Sequence, residues 1–135
     1  MFKPILAIGL LAQALPAFAS EENWVFLSAT KSRDFFIDSS SIIEVAEGRK
    51  TAWIKHFLRN APEDPDIKEI YVLVEFDCPG RRTRFLEGTA VFKNGSRDTK
   101  RKVLEWSAVS PPLSNDGIQI DYVCSGKVPG PVTSR

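Results

Sequence analysis

Few residues of this chain have side chains and spacing suited to catalysis. The chain has a single histidine, His56, and no motif places a serine, cysteine or carboxylate to act with it as nucleophile or base. His56 lies between Lys55 and Phe57 in a strand-like run, where a histidine is most often a half-buried strand residue. A haem or metal ligand is the less favoured alternative. The sequence therefore predicts a protein that is not an enzyme and has neither a cofactor nor a metal site.

The chain has two cysteines, Cys78 and Cys124, which allow only one intramolecular pairing. A metal site is a poor alternative, because two thiols and one histidine lack the paired spacing of metal ligands. Disulfides form and persist in exported proteins. If the chain is exported, the sequence therefore predicts a Cys78–Cys124 disulfide.

The N-terminal segment has the three parts of a secretory signal peptide. Lys3 supplies a positive charge, residues 5–15 form an apolar run too short for a membrane span, and Ala17-Phe18-Ala19 is a small-x-small cleavage site. An uncleaved anchor would need a longer apolar core. We predict that residues 1–19 are removed before Ser20 and that the protein is exported, to the periplasm or to the cell surface.

Cationic residues cluster in the second half of the chain. The whole chain has a formal net charge of +1, so its bulk charge predicts no nucleic-acid partner. Residues 93–102 nevertheless contain five cations and only one acidic residue, Asp98. The five cations are Lys93, Arg97, Lys100, Arg101 and Lys102. Either they contact an acidic partner, a protein or a polyanion, or they are edge-strand residues that prevent sheets from pairing. A homodimer, with the acidic loop 63–66 of one copy against these cations of another, stays open.

The rest of the sequence reads mainly as β-strands. After cleavage about 115 residues remain, the size of one ordinary domain, which we place at residues 20–125 with a flexible tail at 126–135. Branched and aromatic runs predict strands at 24–27, 35–37, 51–58, 69–78, 82–92 and 98–106. Ser114 predicts the cap of a helix toward Cys124, although Ile118, Ile120 and Tyr122 also alternate as in a strand. The predicted fold class is α+β, a single antiparallel β-sheet of about six strands with a short C-terminal helix tethered by one disulfide.

Two turns set the predicted register of the central strands. A two-residue loop at Asn94-Gly95 places Arg84 opposite Glu105. A loop centred on Pro79-Gly80 places Glu75 opposite Arg84, and it keeps this pairing if it opens to four residues. Opposite charges then face each other on three adjacent strands. We therefore predict a structural charge ladder of Glu75, Arg84 and Glu105.

Strand alternation then sorts the side chains onto two faces. One face is nearly all apolar, with Val72, Val74, Phe76, Cys78, Thr83, Phe85, Leu104 and Trp106. Because this face holds Cys78, we predict that the segment carrying Cys124 packs on it and that the core lies there. Trp24, Trp53 and Trp106 could line a ligand groove, but aromatic residues in strands are usually core.

Several short patterns, in order, resemble the surface-adhesin protein E family of Gram-negative bacteria. They are Trp24-Val25, Ile37-Asp38-x-Ser40-x-Ile42, Trp53-x-Lys55, Tyr71 through Glu75-Phe76-Asp77-Cys78 with Arg82-x-Arg84, Trp106-x-x-Val109-x-Pro111 and Val123-Cys124. The resemblance implies an antiparallel sheet with a C-terminal helix tethered by the disulfide. It also implies a non-enzymatic binding module, since the family's namesake is an adhesin for host matrix proteins that is linked to haem binding. An envelope protein with a structural or partner-binding role is the alternative, and a haem-binding protein is a remote one.

Overall fold

The computed structural model describes residues 21–109, 111 and 113–127. The predicted signal peptide at 1–19 and most of the predicted tail, 128–135, lie outside these residues. The described part consists of strands β1 (Trp24–Ala29), β2 (Arg33–Asp38), β3 (Ile43–Ala46), β4 (Arg49–Leu58), β5 (Ile67–Asp77), β6 (Arg82–Phe92), β7 (Arg97–Arg101) and β8 (Ser107–Ala108), a 3-10 turn (Ser39–Ser41) and helix α1 (Asn115–Ser125).

The strands form one antiparallel sheet in the order β1-β2-β4-β5-β6-β7. Two short strands extend it, because β3 pairs with the first half of β4 and β8 pairs with the start of β6. The single sheet and the lone C-terminal helix confirm the predicted fold class. Within the described residues, no helix is both long and apolar enough to cross a bilayer.

The hairpin between β5 and β6 has the predicted register. Glu75 lies opposite Arg84 and Asp77 opposite Arg82, across a loop of four residues. The Asp77 carboxylate closes this loop, because it accepts hydrogen bonds from the Arg82 side chain at 2.7 Å and from the Gly80 amide at 3.1 Å. The hydrogen bond from Arg82, followed by that from Gly80, holds the pKa of Asp77 below its ordinary value. The loop therefore fixes both strands by a local charge pair.

The hairpin between β6 and β7 differs from the prediction by one residue. Its loop has three residues, because the Gly95 amide donates to the Phe92 carbonyl and the Phe92 amide donates to the Ser96 carbonyl. Gly95 has a φ of +90°, the left-handed conformation that closes a type I turn with a bulge. Glu87 consequently pairs with Arg101. The predicted two-residue loop is wrong, and so is every pairing counted from it.

The predicted strand 98–106 is also divided in two. β7 ends at Arg101, and regular pairing with β6 resumes in β8, where Thr83 faces Ser107. Between them, the Lys102 and Leu104 amides still donate to carbonyls of β6. The residue before Ser107, Trp106, then lies beside Arg84, whose guanidinium is 4.3 Å from the indole centroid. Glu105 is exposed. The prediction that Glu105 faces Arg84 is therefore wrong, because the looser segment after β7 changes the register a second time.

Helix α1 forms where the sequence left helix and strand open. The Ser114 hydroxyl accepts a hydrogen bond from the Gly117 amide at 3.1 Å, and Gly126 ends the helix with a φ of +69°. The helix buries Ile120 and Val123 fully or nearly so. Local capping at both ends thus selects the helix over the alternating pattern.

The core lies between α1 and one face of the sheet, which we name the covered face. Leu27, Ile37, Ile54 and Phe76 of the sheet are almost completely buried there. The disulfide between Cys78 and Cys124 joins the β5–β6 turn to the last turn of the helix, with an S–S distance of 2.00 Å. The disulfide and the position of the core at Phe76 confirm the predictions. The prediction is wrong for Leu104 and Trp106, because the register change after β7 leaves Leu104 46% exposed and brings Trp106 against Arg84 on the opposite face. The opposite face of the sheet, named the open face, carries Trp24, Lys55, Tyr71 and the polar side chains discussed next.

Candidate binding surface

The basic hairpin, residues 93–102, forms one end of the sheet. All of its residues are exposed, and β7 has hydrogen-bonding partners in β6 alone among the described strands. The structure thus brings the five predicted cations onto one exposed strand and its loop. They are Lys93, Arg97, Lys100, Arg101 and Lys102.

Strand geometry divides these cations between the two faces. The hydroxyls of Thr89 and Thr99 form a hydrogen bond of 2.8 Å on the open face. Arg97 and Arg101 lie two residues to either side of Thr99 in the strand, so their side chains belong to the same face. Lys100 belongs to the opposite face. Arg101 has an acidic partner, Glu87 at 3.7 Å, although 78% of the Arg101 side chain stays exposed. Among the described residues, the other four cations have no such ion pair, so most of the positive charge faces solvent.

The acidic loop, residues 63–66, lies against the tip of the basic hairpin in the same molecule. The Lys93 amide donates to the Asp66 carbonyl at 2.8 Å. Arg33 already holds two of the loop's carboxylates, Asp64 at 3.0 Å and Glu63 at 3.7 Å. The single positive charge of Arg33 offsets one of the three negative charges of the loop, so two remain for a partner such as the hairpin of a second copy.

His56 lies on the covered face among groups that disfavour its protonated form. Its ring meets the Phe35 ring edge-on at 4.7 Å, and its Nδ1 is 3.2 Å from Arg33 Nη1. Burial, followed by the Arg33 charge, lowers the pKa of His56 to about 4. Since a guanidinium can only donate, Nδ1 accepts and the ring proton sits on Nε2. In this tautomer Nε2 carries the proton and Nδ1 accepts from Arg33, so neither nitrogen has a free lone pair for a metal ion. The contact therefore argues against His56 as a metal ligand.

The charge ladder exists with a different third member. Arg84 Nη2 is 2.8 Å from Glu75 Oε1, and Arg49 Nη1 is 3.4 Å from Glu75 Oε2. The Glu75 side chain is only 6% exposed, so both carboxylate oxygens are held in a largely dry setting. Arg49, which was not predicted from the sequence, is the third member as a second partner of Glu75, and Trp106 occupies the place beside Arg84 predicted for Glu105. The alternation in β4 could have indicated it, because Arg49 has the same parity as Thr51, which lies opposite Glu75.

A cleft of about 350 Å³ lies on the open face, beside the base of the basic hairpin. Its lining residues come from both halves of the sheet and are Glu22, Trp24, Asp38, Trp53, Tyr71, Thr89 and Arg97. The Trp24 and Tyr71 rings lie 5.8 Å apart at 56°. Lys55 Nζ lies 4.7 Å from the Trp24 ring centroid and 5.0 Å from that of Phe36, which fixes the indole in place. We name this feature the aromatic cleft.

Tyr71 is held in its neutral form within the aromatic cleft. Its hydroxyl donates to Glu69 Oε1 at 2.8 Å. Burial of the phenol, helped by the Glu69 hydrogen bond, raises the pKa of Tyr71 to about 12, and the nearby Arg97 charge opposes this shift. The cleft therefore combines neutral aromatic rings with one cation, Arg97, and two carboxylates, Glu22 and Asp38.

The three tryptophans occupy two different settings. Trp24 and Trp53 line the aromatic cleft, whereas Trp106 stacks on Arg84 and lies 4.7 Å from the Arg82 guanidinium. The structure thus places Trp24 and Trp53 along a cleft and Trp106 outside it. Tyr71 and Arg97 were not assigned to this cleft from sequence. Within the part of the chain that the structure covers, no three His, Cys, Asp or Glu side chains converge as metal ligands would.

Comparisons with known proteins give a fold but no sequence relative. No protein-family model matches the chain, and no curated protein matches it. Its structure matches crystal form II of Haemophilus influenzae protein E with a TM-score of 0.57 and 14% identity, covering 86% of this chain and 98% of that one. Protein E from non-typeable Haemophilus influenzae matches with a TM-score of 0.50 and 16% identity, covering 85% and 82% respectively. The resemblance drawn from short sequence patterns is therefore confirmed as a shared fold: this chain has the fold of protein E.

Proposed function

We propose that the chain is an exported, non-enzymatic binding module that contacts an acidic partner through the basic hairpin. The carrying observation is the exposure of five cations on one edge strand and its loop, of which Arg101 alone has an acidic partner among the described residues. The fold shared with protein E supports the proposal, because the surface-adhesin family implies a binding role at the cell surface. Residues 20–125 form the binding domain, and removal of residues 1–19 releases it.

Charge explains why such a hairpin would serve binding. The domain is close to neutral, so its bulk field attracts no polyanion. A local group of unpaired cations creates a local field that raises the association rate and is screened by salt, with a Debye length of about 8 Å at physiological ionic strength. An acidic partner, protein or polysaccharide, is the complement of this field.

The test removes two cations that lack intramolecular partners. Lys100→Ser/Lys102→Ser should weaken binding to heparin or to an acidic matrix protein about two- to thirtyfold in 0.15 M salt, since each of the two exposed charge contacts contributes about 0.2–1 kcal/mol. The melting temperature should not change, because both side chains are in solvent. A matched variant, Lys31→Ser/Lys127→Ser, removes the same charge from exposed positions outside the hairpin and should bind normally.

Two results would contradict the proposal. If both double variants lose affinity equally, only the net charge matters and the hairpin is no specific contact. If neither loses affinity, the hairpin cations serve only to keep sheet edges apart, which is the remaining explanation for lysines on an edge strand. Self-association through the acidic loop is the third outcome, and a dimer that Lys100→Ser/Lys102→Ser abolishes would identify it.

A further inference from the structure

The aromatic cleft is a feature of the open face that the proposed function does not use. Its aromatic side chains, Trp24, Trp53 and Tyr71, come from strands on both sides of the sheet centre, and the Trp24 ring contacts both Tyr71 and Lys55. Rigid aromatic rings at the base of a polar-edged cleft are a common arrangement in ligand sites. The question is which ligand chemistry matches the polar groups around them.

The carboxylates around the cleft already accept hydrogen bonds from the protein. Asp38 Oδ1 accepts from the amides of Asn23 and Ser40 and from the Ser40 hydroxyl, at 2.9, 3.0 and 2.6 Å. Glu22 accepts from the Trp24 indole N–H at 3.0 Å, and Glu69 accepts from the Tyr71 hydroxyl at 2.8 Å. Of these carboxylates, Glu22 and Asp38 line the cleft, and the second oxygen of each can accept a hydrogen bond from a ligand hydroxyl.

Arg97 is the cation of this cleft, and it has no acidic partner among the described residues. It lines the cleft together with Tyr71. An Arg guanidinium binds a carboxylate through two parallel hydrogen bonds. A ligand that fits has a carboxylate for Arg97, hydroxyls for the acidic rim, and a flat C–H face for the rings, whose faces carry negative quadrupole charge. A sugar acid has all three.

We propose that the aromatic cleft binds a uronic-acid unit of an acidic polysaccharide. Arg97 holds the carboxylate, Trp24 and Tyr71 pack against the sugar ring, and the rim carboxylates accept from its hydroxyls. The cations of the basic hairpin beyond Arg97 then follow the neighbouring units of the polymer. This inference rests on the proposed function, because it names the acidic partner of the hairpin as a polysaccharide.

The test uses ligands too short to reach the rest of the hairpin. Unsulfated oligosaccharides of two to four units that contain glucuronic or galacturonic acid are titrated, with calorimetry and tryptophan fluorescence as readouts. The same oligosaccharides with their carboxyl groups reduced to alcohols are the matched ligand control. The acidic forms should bind and change the fluorescence, since two of the three tryptophans line the cleft, and the reduced forms should bind about tenfold more weakly.

Two protein variants assign the site within the same strand. Arg97→Gln and Lys100→Gln each remove one charge from exposed β7, but only Arg97 lines the cleft. Arg97→Gln should lower the affinity for the acidic oligosaccharides about tenfold or more, the worth of a charge-assisted hydrogen bond. Lys100→Gln should change it less than about twofold, because Lys100 belongs to the opposite face. Equal melting temperatures of the two variants would exclude a folding effect.

Three results would overturn the inference. They are no binding of any acidic oligosaccharide up to about 10 mM, equal binding of the acidic and reduced forms, and equal losses in the two variants. The proposed function fails separately. Lys100→Ser/Lys102→Ser should not change the affinity for short oligosaccharides and should weaken the binding of long polymers only. If this variant binds both the short acidic oligosaccharides and the long polymers normally, the hairpin contact is contradicted and the uronic-acid site is not.

Discussion

Replacement of Arg84 tests the charge arrangement on the open face most directly. Arg84 lies between the Trp106 ring and Glu75, whose side chain is 6% exposed. Arg84→Met keeps the apolar stem and removes the cation, which leaves the Glu75 carboxylate with Arg49 alone at 3.4 Å. Removing one partner of a buried ion pair costs about 3–5 kcal/mol. Because Arg49 remains and the Arg84 side chain is 25% exposed, we expect the lower end, about 3 kcal/mol of unfolding free energy.

The assay is thermal and urea unfolding at neutral pH. A loss of about 3 kcal/mol should lower the melting temperature on the order of 10 °C in a domain of this size. The matched control is Arg101→Met, since Arg101 also pairs with a glutamate on β6 but is 78% exposed. That variant should lose less than about 0.5 kcal/mol.

A double variant separates the ion pair from packing. Glu75→Gln in the Arg84→Met background removes the uncompensated charge, so Glu75→Gln/Arg84→Met should be more stable than Arg84→Met alone. If Arg84→Met and Arg101→Met lower the melting temperature equally, the burial of Glu75 is not what makes Arg84 important. Additive losses in the double variant would likewise refute the reasoning.

Three further predictions concern the helix tether, the histidine and the basic hairpin. Cys78→Ser/Cys124→Ser should lower the unfolding free energy by about 4 kcal/mol in the chain-entropy model, because the disulfide spans 46 residues. Equal urea midpoints for this variant and the oxidised protein would contradict this prediction. Because the pKa of His56 is lowered to about 4 in the folded state, the unfolded chain binds more protons than the folded chain between pH 6.5 and about 4. The free energy of unfolding should therefore fall by about 2–3 kcal/mol as the pH falls through that window. His56→Gln should abolish this part of the fall in urea titrations. Gly95→Ala should lower the unfolding free energy by about 1 kcal/mol, because a φ of +90° is strained for alanine. The added Cβ would meet no atom within 4 Å, so the loss would come from the backbone alone. An unchanged melting temperature would argue against the left-handed turn.

The sequence alone predicted those features of the fold that local signals determine. The Pro79-Gly80 loop carries Asp77 on one side and Arg82 on the other, and this pair fixes the β5–β6 register. The cysteines and the capping Ser114 similarly predicted the helix tether. These features depend on residues close together in the chain or on a unique pairing, so no knowledge of the rest of the fold was needed.

The remaining features depended on choices that the sequence leaves open. Asn94-Gly95 is compatible with a loop of two or three residues, and one extra loop residue shifts every pairing that follows. Glu105 therefore lost its predicted place to Trp106, and Arg49 became the second partner of Glu75. The aromatic cleft was also beyond reach, because Trp24 and Arg97 meet only when the whole sheet is assembled.

The meeting of β1 with helix α1 has a consequence for when the domain can fold during synthesis. The Ser28 hydroxyl donates to the Asn115 side chain at 2.7 Å, across 87 residues, and Ile120 and Val123 complete the core around Leu27. The β5–β6 hairpin can form as soon as it leaves the ribosome, but the covered face stays wet until the helix has emerged. We therefore expect the domain to complete its folding only after the helix has been synthesised, and a chain truncated before the helix to expose the apolar side chains of the sheet to aggregation and to proteases.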